Sequence, residues 1–166
     1  MNLKKKRLSI SAFFPCYNDA GSIAMLVKDA ETVLGDVAND YEIIVVDDGS
    51  KDESRALLKR LRLEIPSLKL VFHKKNLGYG GSLRSGFNKA SKDWIFYTDG
   101  DGQYDVGDLR KFIPKISAYV DIIQGFKLRR SDPWYRLIVG KIYYYISRFL
   151  FNIKIKDVDK VGLKGI

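Results

Sequence analysis

Tyr41-Glu42-Ile43-Ile44-Val45-Val46-Asp47-Asp48-Gly49-Ser50, continued by Lys51-Asp52-Glu53, passes from a β-branched apolar run to two acids, a glycine and a serine. The apolar run reads as a strand buried on both faces, Asp-Gly-Ser as a tight turn, and the residues from Asp52 as the start of a capped helix. The same alternation extends in both directions. Periodicity predicts strands over Leu8 to Phe14, Glu42 to Val46, Leu68 to Phe72, Trp94 to Thr98 and Val120 to Gln124. It predicts helices over Ser22 to Val37, Asp52 to Leu63, Gly81 to Ser91 and Asp108 to Tyr119. Strands and helices alternating at this spacing imply βαβ crossovers, hence an α/β fold with a mostly parallel sheet and helices on both faces. No internal repeat or low-complexity linker interrupts the pattern.

A second acidic cluster follows the fourth strand. In Tyr97-Thr98-Asp99-Gly100-Asp101-Gly102-Gln103 the apolar run from Trp94 delivers two carboxylates, two residues apart, into a glycine-containing loop. Asp and Gly are also common turn formers, so this segment alone is equally well a polar turn. Two such clusters change the balance, because ligands of open α/β sheets bind outside the carboxyl ends of the strands and both clusters sit at such ends. Mg²⁺ and Mn²⁺ take oxygen ligands and need only one or two carboxylates when a substrate phosphate completes the shell.

Composition narrows the classes. The 166 residues suit about one domain with a sizeable core. The single cysteine, Cys16, excludes a disulfide within the chain and reads as a small buried hydrophobe. The single histidine, His73, follows Val71-Phe72 at a strand end and argues against a His-rich zinc site or a Ser-His-Asp hydrolase. Its expected role is a surface or satisfied one, not catalysis. Met1-Asn2-Leu3-Lys4-Lys5-Lys6-Arg7 is basic, but the apolar run behind it is short and meets Pro15, which reads as a strand instead of an export signal. No stretch approaches the roughly 20 apolar residues of a membrane span.

The net charge of +9 is unevenly distributed: 19 Lys or Arg face 17 Asp or Glu up to Gly125, and 10 face 3 from Phe126 onward. The basic tail is also aromatic and aliphatic, with Trp134-Tyr135-Arg136-Leu137-Ile138-Val139, Ile142-Tyr143-Tyr144-Tyr145-Ile146 and Phe149-Leu150-Phe151. Basic residues among aromatics on a helix suit an anionic membrane surface, and equally a core helix with snorkelling cations. No recognised nucleic-acid motif supports that third use of a basic tail.

Four segments, in order, resemble the motifs of family 2 glycosyltransferases. They are Phe14-Pro15-Cys16-Tyr17-Asn18-Asp19, Val46-Asp47-Asp48-Gly49-Ser50-Lys51-Asp52, Asn76-Leu77-Gly78-Tyr79-Gly80-Gly81-Ser82-Leu83 and Asp99-Gly100-Asp101-Gly102-Gln103. The branch they are most similar to is the dolichyl- or polyprenyl-phosphate sugar synthases, and the similarity covers about residues 8 to 130. The resemblance implies a GT-A fold binding a nucleotide-diphospho-sugar, with Pro15, Tyr17 and Asp19 lining the nucleoside pocket. It implies that Val46 lies beside the nucleotide and that one or both of Asp47 and Asp48 hydrogen-bond the base or ribose. Gly78 and Gly80 would lie in the loop and helix start beside the nucleotide. Asp99, with Gly100, would face the nucleoside side, while Asp101 and Gln103 would hold Mg²⁺ or Mn²⁺ on the diphosphate. Lys127 matches a basic residue that the family places after the fifth strand, and Arg136, Arg129 and Arg130 match less securely.

These assignments imply an inverting hexosyltransferase with Asp99, Asp101, Lys127 and Arg136 in the catalytic machinery. Its donor would be a UDP- or GDP-sugar and its acceptor a lipid phosphate, at the cytoplasmic face of a membrane, with no nucleic acid involved. Residues 1–166 read as one catalytic domain, with a donor-binding core over 8–130 and an acceptor- or membrane-side segment over 131–166. The last residues, from Asp157 to Ile166, resemble the start of a longer motif that breaks off, which predicts a C-terminally truncated domain. Two other functions stay open: a sugar nucleotidyltransferase, which would need a Gly-rich basic loop where Pro15-Cys16-Tyr17-Asn18-Asp19 stands, and a non-catalytic nucleotide-sugar-binding fragment.

Overall fold

A computed structural model describes residues 8–98, 105–125, 138, 142, 145, 146 and 162–165. Two compact units are distinguished, Met1–Ile123 with Gly162–Ile166, and Gln124–Val161. In the first, β1 (Ser9–Cys16), α1 (Ile23–Val37), β2 (Asp40–Asp47), α2 (Ser54–Glu64), β3 (Leu68–Phe72), α3 (Tyr79–Lys89) and β4 (Trp94–Tyr97) alternate as the periodicity predicts. The sheet order is β3-β2-β1-β4-β6-β5, where β5 is Ile122–Gln124 and β6 is Gly162–Gly165. β1 to β4 are parallel, and β6 runs antiparallel to β4, Trp94 opposite Gly165 and Tyr97 opposite Gly162.

The crossovers place helices on both faces. α3 covers the face of Phe13, Ile44, Val46 and Ile95 with Leu83 and Phe87. α1 turns Ile23, Leu26, Val27, Ala30, Val33 and Leu34 inward on the other face, where it meets α2 and the short α4 (Leu109–Phe112). The strand order reverses between β1 and β4, which opens a crevice at the carboxyl edge. α3 can approach closely because residue 86 is glycine; a Cβ there would overlap the fully buried Phe13 ring, which is stacked on Tyr97 at 5.4 Å.

Three expectations change. β1 runs on through Pro15 to Cys16 because pairing with β4 ends at Phe13. The carbonyl of Cys16 accepts from the Asp48 amide towards β2, so Pro15, one residue earlier in the alternation, turns its missing N–H to the side where β4 has already stopped. The helix expected over Asp108 to Tyr119 is only Leu109–Phe112, bracketed by 3-10 turns at Val106–Asp108 and Ile113–Lys115. Pro114 supplies no N–H and ends it. Finally, the last residues form β6, a strand that the composition of Gly162-Leu163-Lys164-Gly165 does not announce.

Candidate active site

Three loops meet above the carboxyl ends of β1, β2 and β3. The β1 loop is fastened to the start of α2 by side chains. Ser50 Oγ accepts from the Asn18 amide at 2.9 Å, Asn18 Oδ1 accepts from the Lys51 amide at 2.8 Å, and Ser54 Oγ accepts from the Asp19 amide at 3.0 Å. Asn18 holds φ at 51°, a conformation that Asn tolerates better than most residues. The β2 turn is fastened to the β3 loop differently: Gly49, at φ 77°, packs its Cα against the backbone of Lys75 and Asn76, where a Cβ would lie 2.8 Å from the Asn76 nitrogen. Backbone thus lies on backbone at the floor of the site.

The loops enclose a pocket of about 500 Å³. The β1 side contributes Pro15, Cys16, Tyr17, Asn18 and Asp19, β2 contributes Asp48, and the approach to α3 contributes Asn76, Gly78, Tyr79 and Ser82. Tyr17 and Tyr79 place aromatic rings at the wall with 47% and 54% of their surface exposed. Cys16 is buried, and burial pushes its thiol up to about 11, against a hydrogen bond from Ser54 that opposes the shift. It is a neutral thiol at physiological pH.

The two neighbouring aspartates have different fates, because successive strand residues point to opposite sides. Asp47 is fully buried; its Oδ2 pairs with Arg55 Nε at 2.5 Å and its Oδ1 accepts from the Ser50 amide at 3.3 Å. Arg55 also donates to the His73 carbonyl and lies over the Phe72 ring, 5.2 Å from its centroid. Asp48 lines the pocket instead. Its Oδ1 receives His73 Nδ1 at 2.6 Å and the Leu77 amide at 2.8 Å. Burial pushes the Asp48 carboxyl up, and the His73 bond with the Leu77 and Gly78 amides more than reverses this, holding it below the usual carboxylate range.

Of the residues singled out in the sequence, Pro15, Tyr17, Asp19, Asp48 and Gly78 are brought together here. Val46 and Asp47 are not at the wall: Val46 packs in the core beneath α3, and Asp47 serves Arg55. Asp99, Gly100, Asp101, Gln103, Lys127 and Arg136 lie outside the described residues. Arg55, Tyr79 and His73, which the sequence reading did not place in the site, are in or directly behind it. The only advance signal was proximity: Tyr79 stands inside a motif, and His73 three residues before one.

Whether the next loop fits a divalent cation rests on its donors. Asp99, Asp101 and Gln103 offer oxygen only, the ligand type of Mg²⁺ and Mn²⁺. Immediately before them, the Thr98 hydroxyl is buried without a hydrogen-bond partner among the described residues. An unsatisfied buried oxygen is uncommon and suits a site completed by further polar groups. Among the described residues no group of three His, Cys, Asp or Glu could hold a metal by itself.

The parallel sheet with a pocket at the carboxyl ends of its strands is the arrangement in which open α/β proteins hold their ligands. The chain belongs to glycosyl transferase family 2, whose family model matches residues 11–163. Solved structures with this fold include mannosyl-3-phosphoglycerate synthase from Rubrobacter xylanophilus, with a TM-score of 0.74 and 16% identity over 97% of this chain and 56% of that one. A mannosyltransferase from Pyrobaculum calidifontis, in complex with GDP-Man and Mn²⁺, has a TM-score of 0.67 and 18% identity over 96% of this chain and 45% of that one. Glucosyl-3-phosphoglycerate synthase from Mycobacterium tuberculosis, in complex with Mn²⁺, UDP-Glc and phosphoglyceric acid, has a TM-score of 0.67 and 16% identity over 97% of this chain and 58% of that one. The chain therefore spans about half the length of these proteins.

Proposed function

We propose that this chain is the donor-binding part of an inverting glycosyltransferase that moves a hexose from a nucleoside diphosphate to a phosphate-bearing acceptor. The observation that carries this reading is the pocket at the ends of β1 and β2, where the ionised carboxylate of Asp48 lies with the exposed rings of Tyr17 and Tyr79. A planar base can stack on such rings and donate an N–H to the carboxylate. A diphosphate cannot occupy the same place, because Asp19 and Asp48 would repel it. It would be held at the end of β4, where Asp101 and Gln103 would hold a divalent cation, with Asp99 and Gly100 towards the nucleoside. Bound there, the cation would stabilise the charge that develops on the departing diphosphate. Lys127 and Arg136, the basic residues that the family resemblance singles out, would be candidates to add positive charge to the leaving group.

An acceptor phosphate is already anionic near neutral pH, so this transfer needs no general base. Attack from the face opposite the diphosphate inverts the anomeric carbon. A polyprenyl phosphate is the acceptor we favour, at the cytoplasmic face of a membrane. Ile138, Ile142, Tyr145 and Ile146 are helical and exposed, and their i, i+4, i+7, i+8 spacing is that of one helix face. With Lys141 and Arg148 nearby in sequence, such a face suits an anionic lipid surface. No helix among the described residues is long and apolar enough to cross a membrane.

Thermal unfolding with UDP, GDP and their sugar conjugates, each with and without Mn²⁺, tests the donor site. A ligand at about 100 times its dissociation constant adds roughly 2.7 kcal/mol. Asp101→Asn is expected to abolish the metal-dependent part of that stabilisation. Unchanged metal-dependent binding in this variant would remove Asp101 from the site.

A further inference from the structure

His73 sits behind the pocket wall, 8% exposed, and bridges two elements. Nδ1 is 2.6 Å from Asp48 Oδ1, and Nε2 is 2.8 Å from Ser85 Oγ on α3. Its backbone amide donates to the Asp47 carbonyl at 2.9 Å, which fixes the residue against the end of β2. An ionised carboxylate only accepts hydrogen bonds, so the proton between His73 and Asp48 resides on Nδ1. The Leu77 amide donates to the same oxygen at 2.8 Å. These two donors fill the lone pairs of Oδ1; with the Gly78 amide also bonding the carboxylate, one of its about four accepting positions remains for a ligand, on Oδ2.

This bears on which base fits. A base stacked in the pocket meets Asp48 with the edge that carries its ring nitrogen. Adenine and cytosine present a bare acceptor there, which a carboxylate repels. Uracil and guanine both present an N–H. Guanine adds an exocyclic amino group beside it, and the two N–H groups together call for both oxygens of a carboxylate, as other paired donors do. Uracil offers a single N–H and calls for one.

We propose that His73 is a positioning residue that makes the pocket select uridine over guanosine nucleotides, by occupying one oxygen of Asp48 and leaving one for the base. This rests on the donor-site reading above. With Oδ1 filled, the guanine amino group would be desolvated without a partner, whereas the single uracil N–H is matched. Sites that leave a buried polar group unpaired discriminate strongly, and a ratio of at least about ten-fold is expected here.

Calorimetric titration of the chain with UDP and with GDP, in Mn²⁺, reads the ratio directly. The wild type is expected to bind UDP at least about ten-fold more tightly than GDP. His73→Ala frees one accepting position on Oδ1, enough for the guanine amino group, weakens UDP and narrows the ratio towards unity. His73→Asn, whose amide can replace the Nδ1–H donor, retains most of the preference. A merely structural histidine would lower both affinities together and leave the ratio unchanged, and that result overturns the proposal. So does a wild type that binds GDP as well as or better than UDP. Should His73→Ala fail to fold, judged by its unfolding transition, the wild-type ratio and His73→Asn decide. A wild type that binds neither nucleotide, while folded, overturns the donor-site reading itself and the selectivity with it; tight binding of the wrong base overturns the selectivity alone.

Discussion

Glu42→Ala is expected to destabilise the protein by about 3–5 kcal/mol, the range for removing one partner of a buried charged network. Glu42 is in β2, 2% exposed, at the end of the sheet away from the pocket. Its Oε1 accepts from Ser11 Oγ at 2.6 Å, the Ser91 amide at 2.7 Å and Ser91 Oγ at 3.0 Å, while Oε2 pairs with Lys69. One carboxylate therefore ties β1, β3 and the loop between α3 and β4 to the middle of the sheet. Alanine would leave the fully buried Ser11 hydroxyl short of an acceptor and the Ser91 amide with only its longer bond to Ser11 Oγ, at 3.2 Å, and Lys69, partly exposed, would turn to water. The transition temperature should fall by roughly 10 °C for a chain of this size. A loss under about 1 kcal/mol would show that water replaces the carboxylate without cost.

The same network sets a pH dependence. Burial raises the Glu42 carboxyl, but the bonds from Lys69, Ser11 and Ser91 outweigh it and bring the group down to about 2 from 4.5. A carboxyl depressed in the folded state stabilises the protein above its unfolded value and loses that contribution as pH falls through the folded one. The contribution is complete above about pH 4.5 and lost towards pH 2. Glu42→Gln should flatten the stability profile in that window, as measured by urea unfolding at a series of pH values.

The second large effect is expected at Gly49. Its φ of 77° is costly for any residue with a Cβ, and the added carbon would stand 2.8 Å from both the Asn76 nitrogen and the Lys75 carbonyl carbon. Those are backbone atoms and cannot rotate away. Gly49→Ala should cost about 2–4 kcal/mol, the strain of the conformation plus the displacement of the facing loop. Function should suffer too, because the displaced loop carries the Leu77 amide that bonds Asp48. Nucleotide affinity is expected to drop by at least about ten-fold, since losing one buried charge-assisted bond is worth that much. Gly49→Asn separates the causes: asparagine tolerates positive φ but keeps the crowding Cβ, so it should fail almost as badly if crowding dominates.

The fold was legible where pattern and environment agree. β2 carries a continuous apolar run, Ile43 to Val46, buried in the sheet, β3 alternates around Lys69 at the half-buried edge, and α1 carries its apolar residues on one face; their boundaries fall within two residues of the periodicity. The helix after the acidic loop was overextended because its apolar spacing outlasts Pro114. β6 was invisible because two of its four residues are glycine, and it becomes a strand by pairing with the open edge of β4. In the site, the acidic pair of β2 was conspicuous but its division of labour was not. Adjacent carboxylates look alike in a sequence; Arg55 claims one and His73 the other through contacts 8 and 25 residues away. A histidine behind a motif reads from sequence as a surface or satisfied residue, and only its distance to Asp48 ties it to the pocket.

The most direct test of the donor-site account is a crystal structure of the chain with Mn²⁺ and whichever of UDP or GDP binds more tightly. The account predicts the base stacked beside Tyr17 with its ring N–H on Asp48, and the cation between the diphosphate and Asp101. A nucleotide whose base lies away from Asp48, or a cation held by residues other than the Asp99–Gln103 segment, would contradict it.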